Sequence, residues 1–327
     1  MSILFAMEGA VSQGILWGLM TLGVYLTFRI LNVADMTVDG SFAAGGAVSA
    51  VLIASKGMDP LLTLLFVFLM GLACGFVTGF MNTKLHINIL LASILTQIAL
   101  YSINIRIMGR ANTPLLGCDT MMSKLRNFWE NLTDATISST TSSLIIGLIF
   151  IIIVIIAMYW FFGTEYGSSI RATGSNEHMV RAMGVNTDTT KIVGLMISNG
   201  MVAMSGALVA QSQGYADVGM GTGTIVIGLA SIIIGEVIFG SHFGMWWTLI
   251  SVVFGSIIYR IVIAVVLQLG LKSTDLKLLT ALVVAIALSV PVFKQKIDRR
   301  RKAYKGPANE RNTRHADDNY KHDNSSN

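Results

Sequence analysis

Apolar residues along this chain recur in runs close to twenty residues long, set apart by short polar connections. Nine such segments are expected to form spanning helices, at 9–29, 38–55, 61–82, 87–106, 143–162, 192–212, 223–240, 245–268 and 276–293. Lengths of roughly 17–25 residues suffice to cross a hydrocarbon core of about 30 Å, so even the two shortest segments, the second and seventh, qualify. Two connections stand out by length. One, 107–142, turns polar and Ser/Thr-rich toward its end; the other is 163–191. All the remaining connections are tight, which leaves no room for a soluble domain within 1–293.

Composition sharpens this picture. Of 327 residues, 53% are hydrophobic and 13% charged, with mean hydropathy +0.67. A soluble globular chain carries about a quarter charged residues, so the expected class is all-α and polytopic in a membrane. Two cysteines, Cys74 and Cys118, provide neither a disulfide framework nor metal spacing, and no metal site is expected. Glu8 precedes the first apolar run where a cleavable signal would place basic residues. The net charge of +5 is concentrated in "KQKIDRRRKAYK", Lys294 to Lys305, and the polar remainder to Asn327 reads as a disordered tail.

Lysine and arginine in loops set the expected orientation. With the C-terminus cytoplasmic and the N-terminus outside, the inner side holds Arg29, Lys84, Arg171, Arg181, Lys191 and ten cations of the 294–327 tail, fifteen against seven outside. The tail decides the matter, because without it the count is five against seven.

The inner segment 163–191 contains "SNEHMVRAM", Ser175 to Met183, between Gly174 and Gly184. Ser175 can cap a helix there, Glu177 suits its first turn, Arg181 its last, and Gly184 can end it in the left-handed conformation. Met179, Ala182 and Met183 then share one side, and Asn186 or Asp188 can cap the next span. Such a helix either lies on lipid headgroups or docks in a partner's groove.

Here the chain resembles a known family. "SIRATGSNEHMVRAMGVNTDTTK", "GMVAMSGALVAQSQGYADVGMGTG", "GLASIIIGE" and "LNVADMTVDGSFAAGGAVSA" are similar, in order and spacing, to LivH/LivM-type permeases of bacterial ABC importers. The likeness is to the tryptophan/tyrosine or related amino-acid subgroup and covers about residues 9–293. It implies a type II importer fold, a second permease copy (homodimer or heterodimer), a cytoplasmic ABC ATPase dimer and an extracytoplasmic substrate-binding lipoprotein. It also implies a small solute, an amino acid and aromatic within that class. ATP and Mg would belong to the partner ATPase and no cofactor to this chain, which has no G-x-x-x-x-G-K-[ST] of its own. By the same resemblance 171–186 holds a coupling helix, with Arg171, Glu177, Met179, Arg181, Met183 and Gly184 as its contacts. No nucleic acid is implied.

An internal repeat is visible. "ADMTVDGSFAAGGAVSAVL" aligns with "ADVGMGTGTIVIGLASIII", pairing Asp35 with Asp217, Gly40 with Gly223, Gly45 with Gly228 and Ala47 with Ala230. The two copies run in opposite senses across the membrane, as an inverted-topology repeat requires, and such repeats place transport sites at their interface. Asp39 reads as a cap of the second span. Asp35, Asp39, Gly40, Gln97, Asn199, Gln211 and Gly223 are candidate pathway residues, with helix-to-helix hydrogen bonding the rival role for Gln97, Asn199 and Gln211. Ionisable groups within spans usually face the interior, and Glu236 is expected to pair with Arg260 across the hairpin at Ser241-His242. The chief alternative function is an ion-coupled secondary transporter, which has less need of a docking helix and more intramembrane carboxylates. Catalysis is not expected: "AMSGAL" around Ser205 lacks the preceding glycine of a serine-protease site, and no histidine lies in a late span to serve it.

Overall fold

The computed structural model describes residues 2–133, 137–240, 244–268, 278, 280–285 and 289. The chain divides into two compact units, Met1–Val284 and Ala285–Asn327. Of the second, only Ala285 and Ser289 are described, both helical. Eight of the described helices are long and apolar enough to cross a membrane, and each matches an expected segment. The ninth segment, 276–293, lies outside the described residues apart from 278, 280–285 and 289, as does the basic tail.

The first span, α1 (Ser2–Tyr25), runs on into a π turn, Leu26–Ile30. Asn32 then adopts a left-handed conformation at φ 55°, which ends the helix before α2 (Thr37–Lys56) begins. There follow α3 (Pro60–Thr83), α4 (Ile89–Met108), β1 (Asn112–Pro114), α5 (Met121–Thr133) and α6 (Ser139–Gly163). Two short helices, α7 (Glu165–Ser175) and α8 (Glu177–Ala182), lead to α9 (Thr187–Gln213). The rest is β2 (Tyr215–Asp217), a 3₁₀ turn at Val218–Gly221, α10 (Thr224–Phe239) and α11 (Met245–Gln268).

Successive spans reverse direction and so define two faces. On one, β1 pairs antiparallel with β2, Asn112 opposite Asp217, and ties together the connections that follow α4 and α9. The other carries α7 and α8. The polar connection 107–142 also holds α5, which the hydropathy pattern does not reveal because its apolar residues occupy one side of a short polar helix. Met122 is buried there and Leu125 packs on the core, while Lys124 pairs with Asp59. Asp59 in turn accepts the Leu61 N–H at 2.9 Å, capping α3, which starts with Pro60.

Packing is crosswise. Helices α2 and α3 lie on α9, whereas α10 and α11 lie on α1. The two central helices run in opposite senses and bond directly: Ser198 Oγ donates to the Gly23 carbonyl at 2.8 Å and Ser205 Oγ to the Leu16 carbonyl at 2.7 Å. The trios α1–α2–α3 and α9–α10–α11 are thus the two inverted copies. Small residues let these backbones approach closely. A Cβ on Gly45 would sit 1.9 Å from the Ala203 carbonyl oxygen, and one on Gly206 2.0 Å from that of Phe42. Each helix uses a glycine to receive the other's carbonyl.

Candidate functional site

The two aspartates of the opening repeat do different work. Asp35, fully buried, accepts the Thr37 N–H at 2.9 Å through Oδ1 and so caps α2. Its other oxygen accepts from Asn199 Nδ2 at 2.7 Å, and Asn199 Oδ1 accepts from Ser41 Oγ at 2.8 Å. Asp217, its partner in the repeat, accepts the Gly219 N–H at 2.7 Å, the same cap two residues on. The aligned residues therefore make the same bond to the amide two residues on.

Asp39 is a cap, but of the other copy's helix. Its Oδ1 accepts the Ile225 N–H at 2.9 Å and the Thr224 hydroxyl at 2.8 Å, and its Oδ2 accepts the Gly223 N–H at 2.9 Å. These groups open α10, whose positive dipole end favours a carboxylate. The expectation that Asp39 caps the second span is thereby corrected. That helix begins at Thr37, so the amides within reach of an N-cap at position 39 are already bonded in its first turn, and Asp35 fills the cap role. Gly223 takes φ 83°, the left-handed conformation glycine tolerates, to turn its N–H toward Asp39.

This clasp lies inside the helical layer. Gln97 Nε2 approaches Asp39 Oδ2 at 3.5 Å, and Gln97 stands about 12 Å along α4 from its start, at 1.5 Å per residue. Both broken helices, α2 and α10, thus begin near mid-membrane with their N-termini together, the arrangement of discontinuous helices in inverted-repeat transporters. Beside the clasp is a cavity of about 370 Å³, lined by Asp39, Gly40, Ala43, Gln97, Ile98, Tyr101, Ser102, Asn104, Val218 and Thr222. Asp39, Gly40, Gln97 and, through its N–H, Gly223 are gathered here. Tyr101, Ser102 and Thr222 were not anticipated. Gln97, Tyr101 and Asn104 fall at i, i+4 and i+7 of one helix, and that polar stripe within a span is the signal that could have found Tyr101.

Asn199 and Gln211 are not at the cavity. Asn199 is sealed at 0% exposure between Asp35 and Ser41. Gln211 is buried between the Met121 N–H and Ser49 Oγ, at 3.1 Å from each. Both have the helix-to-helix role. The Glu236–Arg260 pair is corrected too. Glu236 accepts from Arg29 Nε at 2.9 Å, which joins the end of α10 to the π turn. Around the α10–α11 turn, Gly235 faces Ser251, so Arg260 lies nine residues, or roughly 13 Å, beyond Glu236's reach. The Arg260 guanidinium instead stacks 3.9 Å over the Trp17 ring, a cation–π contact.

At the opposite face the expected nine-residue helix is two helices. Asn176 breaks from α7 into extended backbone and caps α8 by accepting the Met179 N–H at 3.1 Å, so Asn176, not Ser175, is the cap. Gly174 is no boundary: it lies within α7, where its hydrogens meet the Ile30 carbonyl. Gly184 does end the segment, at φ 85°, and Asn186 caps α9. Val180 is buried, which leaves Met179 and Met183 exposed by 51% and 74%. Arg181 stays exposed but bends back to α9, donating to Thr187 Oγ1 at 2.8 Å and Asp188 at 3.0 Å. Glu177 takes Lys191 at 2.7 Å. Arg171 belongs to α7 and reaches Met245 Sδ at 3.9 Å.

The hydrogen bond from Lys191 holds the Glu177 carboxyl below the usual carboxylate range; partial burial opposes this, and the Lys191 and Arg181 charges add to it. A depressed carboxylate stabilises the fold above its unfolded value of about 4.3 and loses that contribution as pH falls through the folded value. A spin label at exposed position 178 is expected to gain mobility on acidification through that window. Glu177→Gln should remove the pH dependence at a cost of about 0.5 kcal/mol, the scale of a half-exposed pair.

Residues 6–289 match the family described as branched-chain amino acid transport system / permease component. The chain is 38% identical over 286 residues to a tyrosine transport system permease protein of Clostridioides difficile, covering 86% of this chain and 91% of that one. It is 32% identical to an uncharacterized protein of Rickettsia prowazekii, covering 86% and 95%. It is also 25% identical to the autoinducer 2 import system permease protein LsrC of Yersinia pseudotuberculosis, covering 84% and 73%. Among solved structures, an inward-facing metal-chelate type ABC transporter aligns with TM-score 0.48 at 14% identity, covering 88% of this chain and 85% of that one.

Proposed function

The chain belongs to the branched-chain amino acid transport permease family of ABC transporters, and from that membership we propose that it forms the pathway of a bacterial importer for an amino acid. The observation that carries this reading is the polar cavity placed where the broken helices of the two inverted copies meet. Aromatic amino acids are the favoured class, because the tyrosine transport permease is similar over most of both chains.

The pathway would be completed by a second permease copy, identical or not. ATP and Mg would act in a cytoplasmic ATPase dimer, and an extracytoplasmic lipoprotein would deliver the solute. On this reading the α8 face is cytoplasmic, the Met1 end lies outside, and α8 receives the ATPase through Met179 and Met183. Glu177 and Arg181 hold that helix on α9, and Gly184 sets where it stops.

The test is uptake into sealed vesicles containing the permease with its ATPase and binding protein. The expected result is accumulation of a labelled aromatic amino acid that requires ATP and is blocked by vanadate. Uptake that follows an imposed proton or sodium gradient without ATP would establish the secondary-transporter alternative instead.

A further inference from the structure

The mid-membrane cavity contains an unfilled hydrogen-bonding position. Asn104 is 1% exposed and lines the cavity, and its Oδ1 has no partner among the described residues, while its Nδ2 reaches the Gly40 carbonyl at 3.3 Å. Leaving a buried acceptor unmade is costly, and a vacant one beside a cavity points to a guest with a donor.

The Asp39 carboxylate next to it has four acceptor positions. Three are taken by Gly223, Thr224 and Ile225 of α10, and a fourth contact, with Gln97, is long at 3.5 Å. Its hydrogen bonding is nearly complete, but its charge is not. A helix N-terminus supplies the equivalent of only about half a positive charge, and among the described residues neither lysine nor arginine lines the cavity. The site thus combines a residual negative field with an empty acceptor, which favours a cationic donor and disfavours an anion.

Resting on the reading of this chain as an amino-acid permease, we infer that the cavity takes the α-ammonium group of the transported amino acid. Asn104 Oδ1 accepts one of its hydrogens and Asp39 supplies the field. The free carboxylate of the guest, repelled by Asp39, is oriented away from the clasp, toward the open side where Tyr101 stands exposed. Asp39 in this role is also the strut between the two copies, and filling the cavity therefore acts directly on the joint between α2 and α10.

Occupancy can be read without relying on the binding protein. Ser102 lines the cavity, so Ser102→Cys, in a chain carrying Cys74→Ala and Cys118→Ala, offers one thiol to a membrane-permeant maleimide. The purified permease–ATPase complex in nanodiscs is labelled with and without L-phenylalanine, and with 3-phenylpropanoate, which lacks only the ammonium. The series is then repeated with tyrosine, tryptophan and leucine against their deaminated counterparts.

Protection by an amino acid but not by its deaminated counterpart is the expected result. Asn104→Leu should raise the half-protecting concentration about tenfold or more, the scale of one hydrogen bond to a charged group. A thermal-unfolding transition of the Asn104→Leu complex unchanged from that of the parent separates this loss from misfolding. Equal protection by both members of each pair, or protection by none, overturns the inference. ATP-dependent uptake by the same complex in sealed vesicles with its binding protein would stand or fall separately.

Discussion

Gly45→Ala is expected to destabilise the permease by about 3 kcal/mol, the upper end for overpacking a close contact, and Gly45→Val to yield no folded protein from detergent extracts. A Cβ at this position would lie 1.9 Å from the Ala203 carbonyl oxygen, 2.6 Å from its carbon and 2.8 Å from its Cα. No rotamer relieves a clash with backbone. α2 would have to move off α9, and three neighbouring contacts resist that movement. Gly206 meets the Phe42 carbonyl one turn away, the buried Asp35–Asn199–Ser41 bonds tie the same helices, and Ser49 bonds Gln211 further along. Helix propensity works the other way, since alanine in place of glycine favours a helix by roughly 0.5–1 kcal/mol. Gly9→Ala isolates that term, because nothing lies within 4 Å of a Cβ there. It should be neutral or slightly stabilising in the same thermal-unfolding assay. Equal behaviour of the two variants would show that α2 and α9 are not in contact through Gly45.

The spans were legible because a membrane imposes one period-independent requirement, length of apolar run, and eight described helices meet it. The inverted repeat was legible from its small residues, and Asp35 and Asp217 proved equivalent down to the amide each accepts. What escaped were pairings over long sequence distance. Asp39 finds its amides 184 to 186 residues away, and nothing local distinguishes an aspartate that caps its own helix from one that caps another. Glu236 illustrates the same limit: proximity in sequence favoured Arg260, whereas the π turn at the end of α1 brings Arg29 to it across 207 residues. Helix α5 was hidden for a different reason. Thirteen residues with a polar side register as loop on any scale that counts hydropathy alone. At the cavity, the residue types in α4 were visible, but their common facing toward Asp39 depended on how α4 packs against α2, which only the fold supplies.

Met179→Asp with Met183→Asp is expected to abolish ATP-dependent uptake and ATPase copurification while leaving the permease folded. The two methionines, one within α8 and one at its C-cap, are exposed apolar side chains at 51% and 74%, one turn apart. On the proposed reading these exposed apolar side chains are the docking surface, and methionine suits a groove because it adapts its shape. The holding is substantial for so short an element. Asn176 caps it, Arg181 bridges to Thr187 and Asp188, and Glu177 is locked by Lys191. A helix of six residues would not persist in water alone, so these bonds to α9 are what hold α8 in place. On the proposed reading, movement imposed on α8 would reach the N-terminus of α9, about 18 Å along which Asn199 holds Asp35 at the base of α2. Carboxylates at the two positions place charge where a groove must exclude water, yet they bury nothing in the permease itself, so its thermal unfolding should not change. Arg181→Ala makes the contrast: it should weaken coupling by loosening α8, with ATPase binding retained at higher concentration. Unimpaired uptake in the double aspartate variant would remove α8 as the docking element and leave the α7–α11 contact at Arg171 and Met245 as the place to look for it.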